Sequence, residues 1–94
     1  MADTGDIYLA DVNDEVRRRV LVVSNSRFHN LAGRAYVLPA ASPRPFPWRI
    51  EHDEHVYAAD LLQTISVNRL LELQGRVPQS VIRGARTALR LISS

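Results

Sequence analysis

The stretch Arg17-Arg18-Arg19-Val20-Leu21-Val22-Val23-Ser24-Asn25 constrains the fold more than any other part of the chain. Val20 to Val23 is an unbroken run of β-branched residues and leucine, which reads as a strand covered on both faces. Three arginines stand immediately before it, and a polar loop that begins at Ser24-Asn25 and runs to Gly33 follows it. The apolar cover for such a strand must come from 94 residues, 46% of them apolar. That describes one domain, residues 1–94, whose core gives limited stability, so pairing with a second copy is the reasonable expectation.

The flanking segments read as further short strands. Ile7 and Leu9 alternate with polar neighbours across 6–12, and 35–40 forms a strand in which Pro39, with no N–H to donate, marks an end or an edge. Residues 41–47 carry three prolines and make a stiff, extended connection. Residues 48–52 and 56–62 alternate as two strands joined by a hairpin turn, Ser66 suits the N-cap of a short helix through about Leu71, and 71–77 reads as the last strand. Pro78 then opens a helix whose apolar face is Val81, Ile82, Ala85, Ala88, Leu89 and Ile92, with Arg83, Arg86 and Arg90 on the opposite side. Five or six short strands closed by a C-terminal helix define a mostly β, α+β chain: a small, strongly curved barrel or half-barrel with the helix plugging one side.

Charge narrows the partners. The net charge is only +2, but all twelve basic residues are arginine, whose planar guanidinium grips phosphate with two parallel hydrogen bonds. GC-rich coding would produce the same absence of lysine, so distribution says more. Residues 1–16 hold five acids and no base, and Arg17 to Arg19 follow at once, which suits either an anionic partner or a solvated loop. With no cysteine there is no disulfide framework and no thiolate zinc site. His52 and His55 have the spacing of a partial metal site but fall in a turn without a third ligand, so no metal is expected. His29 reads as a surface-loop histidine without a role. The chain shows no apolar run of membrane-spanning length and no leader, so a cytoplasmic protein without membrane attachment is expected.

Four stretches carry a resemblance: GDIYLADV (5–12), RRVLVVSN (18–25), YVLPAAS (36–42) and AADLLQTI (58–65). In this order, and over nearly the whole chain, they resemble the MazF/PemK family of toxins from toxin-antitoxin systems, in its short-looped actinobacterial-like branch. The resemblance implies an SH3-like barrel of the MazF/PemK/CcdB type, a homodimer, and metal-independent endoribonuclease cleavage of single-stranded RNA by 2′-OH attack without a cofactor. It also implies a cognate, MazE-like antitoxin whose tail fills the RNA groove.

The resemblance puts Arg18 in the active site, where a preorganised guanidinium stabilises charge that builds on the phosphorane oxygens. Arg19 takes the position of the family's proline, and Arg17 and Arg19 would hold flanking phosphates. The family's Pro-x-Thr-Ser turn reads Pro39-Ala40-Ala41-Ser42 here, so Ala41 stands where the catalytic threonine should. Ser42 is the nearest hydroxyl, and neighbouring residues of an extended chain point to opposite sides. Asp60 matches the aspartate of an Asp-x-x-x-Thr motif completed by Gln63 and Thr64, while the arginine that one branch carries two residues earlier is Ala58. Asp60 as a base or base-recognition group and Asp60 as a turn cap both stand. Trp48 and Phe46 suit base stacking or a dimer core, and Asn25 suits loop organisation or RNA contact. The expected catalytic set is therefore Arg18, Ser42 and Asp60, and the expected RNA-binding set is Arg17, Arg19, Asn25, Trp48 and Gln63. Two alternatives remain: a non-catalytic binder that has lost its threonine, and a gyrase-directed toxin resembling CcdB, whose Trp-Gly-Ile ending the tail RTALRLISS lacks.

Overall fold

In the computed structural model, which describes residues 1–12, 16–45 and 47–93, the Val20–Val22 run lies in the central strand of a five-stranded antiparallel sheet. The strands are β1 (Asp6–Asp11), β2 (Arg17–Val22), β3 (Arg34–Pro39), β4 (Arg49–His52), β5 (His55–Ala58), β6 (Gln63–Ser66) and β7 (Leu70–Arg76). A short helix α1 (Ser26–Ala32) follows β2, and α2 (Gln79–Ser93) ends the described chain. The large sheet has the order β6-β3-β2-β1-β7, and β4 and β5 form a separate hairpin. Of the run expected to be covered on both faces, Val20, Leu21 and Val22 are almost wholly buried, and Val23 is half-buried just past the end of β2.

Chain connectivity forces the sheet to roll. Its two edge strands, β6 and β7, are joined by a single 3₁₀ turn, Val67–Arg69. Three residues span at most about 10 Å, whereas the edges of a flat five-stranded sheet lie roughly 19 Å apart. Only a rolled sheet closes that gap. Its interior is packed with Ala10, Val20, Val22, Ala35, Val37 and Ile65. The alternate residues Ile7, Leu21 and Leu38 face the other way, against Ile50 and Tyr57 of the hairpin and Ile82, Ala85 and Ala88 of α2. At the start of α2 the carbonyl of Pro78 accepts from the amides of Val81 (3.0 Å) and Ile82 (3.3 Å), so proline opens the helix as expected. Gly5 sits at φ +91°, and a Cβ there would lie 2.8 Å from Ile82 Cδ1. Glycine is needed at this crossing for both reasons.

Several boundaries differ from expectation. Residues 24–33, read as a loop, contain α1: the Asn25 side chain accepts from Phe28 N (2.8 Å), and Gly33, left-handed at φ 67°, closes the C-terminus on His29 O (2.8 Å). Seven residues with one buried side chain leave no apolar period to read. His29, expected on the surface, is buried at 3% exposure. The helix expected after Ser66 is only the 3₁₀ turn, capped by Ser66 Oγ, because the backbone must reach the opposite sheet edge within three residues; β7 accordingly begins at Leu70. The strand expected over 56–62 ends at Ala58 in a second 3₁₀ turn, Ala59–Leu61, and Gln63–Ser66 pairs with β3. Pro39 pairs with Val20 beyond the reach of β6, so its missing N–H costs no ladder bond. The sequence also reads 13–18 as a charged turn after the first strand; Arg17 and Arg18 instead begin β2, while 13–15, like Phe46, lie outside the described residues. No described helix is long and apolar enough to cross a membrane.

Candidate active site

β2 carries the arginines at its N-terminal end, where Asp11, Ala10 and Leu9 of β1 face Arg17, Arg18 and Arg19. Strand alternation sets Arg18 on the side of Ala10 and Val20, at the rim of the rolled sheet, and Arg17 and Arg19 on the side of Leu21. Arg17 and Arg18 are exposed and form no ion pair with another described residue. Arg19 is half-buried, with Nη1 donating to Gln74 Oε1 at 3.2 Å.

The 40–42 turn joins this rim to the hairpin. Ala40 N donates to Arg19 O (2.9 Å), the next amide, Ala41 N, donates to Val56 O (2.9 Å), and Ala40 bridges Tyr57. The chain thus passes from the arginine strand to β5 within two residues. Ser42 is exposed, and its carbonyl accepts from Arg49 Nε at 2.9 Å. The same guanidinium donates through Nη1 to Asp60 Oδ1 in an ion pair. The Arg49 side chain is 6% exposed and that of Asp60 33%, so a ligand reaches the carboxylate but not the guanidinium. Asp60 is carried by the 3₁₀ turn, which Ala59 N fixes by donating to Trp48 O (2.8 Å). Trp48 itself is 43% exposed beside this pair.

The structure therefore links Ser42 and Asp60 through Arg49, sets Trp48 beside them through Ala59, and joins the 40–42 turn to Arg19 by a backbone bond, whereas Arg18 lies on the opposite face of β2 from Arg17 and Arg19. Gln63 stands apart, opposite Val37 and half-buried in β6, in the cross-strand row of Val22. Thr64 is engaged on the other side by Arg34, which donates to its Oγ1 (3.0 Å) and its carbonyl (2.9 Å). Asn25, committed to capping α1, lies at the far end of the arginine strand, roughly 20 Å from Arg18 along the chain direction. His52 and His55 are Cα partners flanking the hairpin turn, and no three His, Asp or Glu side chains converge among the described residues.

Sequence reasoning missed Arg49. It sits in the alternating stretch Trp48-Arg49-Ile50-Glu51, where a charged residue adjacent to a core isoleucine reads as solvent-facing. Its role shows only in its bonds to Ser42 O and Asp60, residues distant from it in the chain. Also missed was Gln74, the partner of Arg19.

The rolled antiparallel barrel with its C-terminal helix recurs among solved structures. A chain of the MazE-MazF complex from Deinococcus radiodurans superposes with TM-score 0.83 at 21% identity over 98% of this chain and 94% of that one. An endoribonuclease in complex with its cognate antitoxin from a Mycobacterial species gives 0.86 at 18% over 97% and 93%. The Mycobacterium tuberculosis toxin MazF-mt6 gives 0.75 at 20% over 89% and 91%. The fold is thus that of the MazF toxins. The family model for PemK-like, MazF-like toxins of type II toxin-antitoxin systems matches residues 3–93, and the chain belongs to that family. A comparison with curated proteins found no match.

Proposed function

We propose that this toxin is a metal-independent endoribonuclease that cleaves single-stranded RNA through attack of a ribose 2′-hydroxyl on the adjacent phosphate. The observation that carries the reading is the junction at the barrel rim, where Ala40 N meets Arg19 O and Ser42 O meets the guanidinium that grips Asp60. The Ser42-bearing turn and the Asp60 carboxylate are held together by one guanidinium, and the backbone of that turn continues from the end of the arginine strand.

As the 2′-oxygen bonds to phosphorus, the bond to the 5′-oxygen breaks, leaving a 2′,3′-cyclic phosphate and a 5′-hydroxyl. Arg18, in no ion pair with a described residue, stabilises the charge that grows on the phosphorane oxygens. Asp60, with one carboxylate oxygen on Arg49, takes the 2′-proton, and water protonates the departing 5′-oxygen. The Ser42 hydroxyl, which bonds to no described residue, donates to a non-bridging oxygen. Arg17 and Arg19 hold flanking phosphates, Trp48 offers its ring face to a base, and Gln63 and Asn25 serve nucleotides farther from the cut.

By the same reading a cognate antitoxin, the kind of partner present in two of the structures above, covers the arginine rim. The chain works as a cytoplasmic homodimer, for which Leu71 and Leu73, 46% and 56% exposed on edge strand β7, supply apolar surface.

Ala41 favours a second reading, a binder without catalysis, because a methyl group stands at the family's threonine position. The experiment is incubation of the purified protein with a long, weakly structured RNA in excess EDTA, beside Arg18→Ala, with 5′ ends mapped. Discrete cuts abolished by the substitution support the nuclease. Intact RNA in the presence of folded protein supports the binder, and cuts indifferent to Arg18→Ala assign the chemistry to other residues.

A further inference from the structure

Arg49 belongs to none of the motifs in the sequence, yet its one side chain ties together two candidate residues that are distant in the chain. How it does so follows from the hairpin. The two-residue turn Asp53-Glu54 makes His52 and His55 a hydrogen-bonded pair, and alternation along the ladder makes Arg49 and Ala58 a non-hydrogen-bonded pair, the kind whose side chains lie closest. The bond from Ala59 N to Trp48 O continues that alternation. Ala58 is fully buried and small, so the arginine side chain folds across it towards Asp60, two residues farther on. The planar fork then serves two oxygens at once: Nε on Ser42 O and Nη1 on Asp60 Oδ1.

We infer that Arg49 is a positioning residue of the ribonuclease proposed above, fixing the separation between the Ser42-bearing turn and the Asp60 carboxylate; the inference rests on that reading. Buried as it is, Arg49 does not touch RNA. A lysine, with one nitrogen on a flexible stem, lacks the fork that holds both oxygens in place. An arginine at 58 would start from the facing Cα, within cross-strand reach of the same two oxygens. The arginine that the Asp-x-x-x-Thr resemblance places at 58 is thus supplied here from across the hairpin.

The test compares wild type, Arg49→Lys, Arg49→Ala and the relocation variant Arg49→Ala/Ala58→Arg, using RNA cleavage in EDTA and amide hydrogen exchange at Ala41, which donates to Val56 O beside the clasped turn. Arg49→Ala should lower kcat about 100-fold with KM unchanged, the cost of a misplacement on the order of an ångström, and should speed exchange at Ala41. Arg49→Lys should share most of the loss in kcat. Relocation should recover most of the rate and restore the protection. If Arg49→Ala does not fold, Arg49→Lys and the relocation variant carry the test. A rise in KM alone, wild-type rates in Arg49→Lys, or no recovery on relocation would overturn the inference. A wild-type protein that cuts no RNA would instead end the nuclease reading, and the exchange measurement would still decide whether Arg49 holds the turn.

Discussion

Ser24 Oγ lies 2.6 Å from His29 Nε2, and through this bond the chain just past β2 is fastened to α1. The other ring nitrogen, Nδ1, lies 2.9 Å from the carbonyl of Ala2, which can only accept, so the bonding pattern assigns the proton of the neutral ring to Nδ1, the tautomer in which Nε2 accepts from the hydroxyl. Ser24 Oγ in turn accepts from Tyr36 N at 2.8 Å. The chain of bonds runs from β3 through the post-β2 segment and α1 to the N-terminus.

His29→Leu keeps the bulk but leaves the Ala2 carbonyl and the Ser24 hydroxyl without their partner. The expected cost is about 2 kcal/mol, or a fall in Tm of roughly 10 °C for a chain of this size. Ser24→Ala strips the Tyr36 amide as well, and because both changes break the same bond, their effects should not add. A calorimetric double-mutant cycle checks this. Strict additivity would mean that the hydroxyl and the imidazole do not stabilise each other.

Tyr57 presents the opposite case. Its ring is wholly buried in the core beneath α2, and its hydroxyl has no hydrogen-bond partner among the described residues. Burying an unpaired hydroxyl costs about 1–3 kcal/mol, so Tyr57→Phe should raise stability by around 1 kcal/mol with the fold unchanged. Urea denaturation is the measurement. A loss of stability in the phenylalanine variant would show that the hydroxyl is satisfied in solution.

The β4–β5 turn is built from residues that rarely adopt its geometry. Asp53 has φ 49° and Glu54 φ 68°, the left-handed pair of a type I′ turn that favours Asn-Gly. Glu54→Gly removes the steric cost of a Cβ in that region, and the expected gain is about 0.5–1 kcal/mol. Since His52 and His55 close the turn from either side, the substitution should also slow amide exchange across the hairpin. Unchanged or lower stability would mean that the native side chains make compensating contacts.

How much of this was legible beforehand depended on the length over which a pattern repeats. Val20 to Val23 and the apolar face of α2 carry enough residues for period and burial to agree over most of their length: Val20 to Val22 and Ile82, Ala85 and Ala88 are buried, while Val23 is half-buried past the end of β2 and Ile92 is exposed. α1 and β6, at seven and four residues, are too short for a period to show and are set by caps, by Gly33 and by pairing with β3. At the candidate site the arginines and Asp60 were visible because they sit inside recognisable motifs. Arg49 was not, because its meaning comes from Ala58 across the hairpin and from Ser42 O and Asp60, none of which is its neighbour in sequence.

Acid should loosen the N-terminal anchor first. Asp3 accepts from the amide of Ser26, the first residue of α1, and from that of Thr4, each at 2.9 Å. These two donors, Ser26 foremost, favour the ionised carboxylate and hold its pKa below the ordinary 3.8, against a smaller opposing effect of desolvation. A lowered folded-state pKa means that the unfolded chain binds the proton more readily. The stability contributed is therefore full above about pH 4 and is lost as the pH falls through the folded-state value. Asp3→Asn cannot ionise and lacks that contribution at every pH. Wild type should accordingly exceed the variant in stability near neutrality, and the gap should narrow steadily as denaturation curves are repeated at lower pH. A gap that persists unchanged into strong acid would mean that the Ser26 and Thr4 amides do not favour the charged carboxylate over the neutral amide.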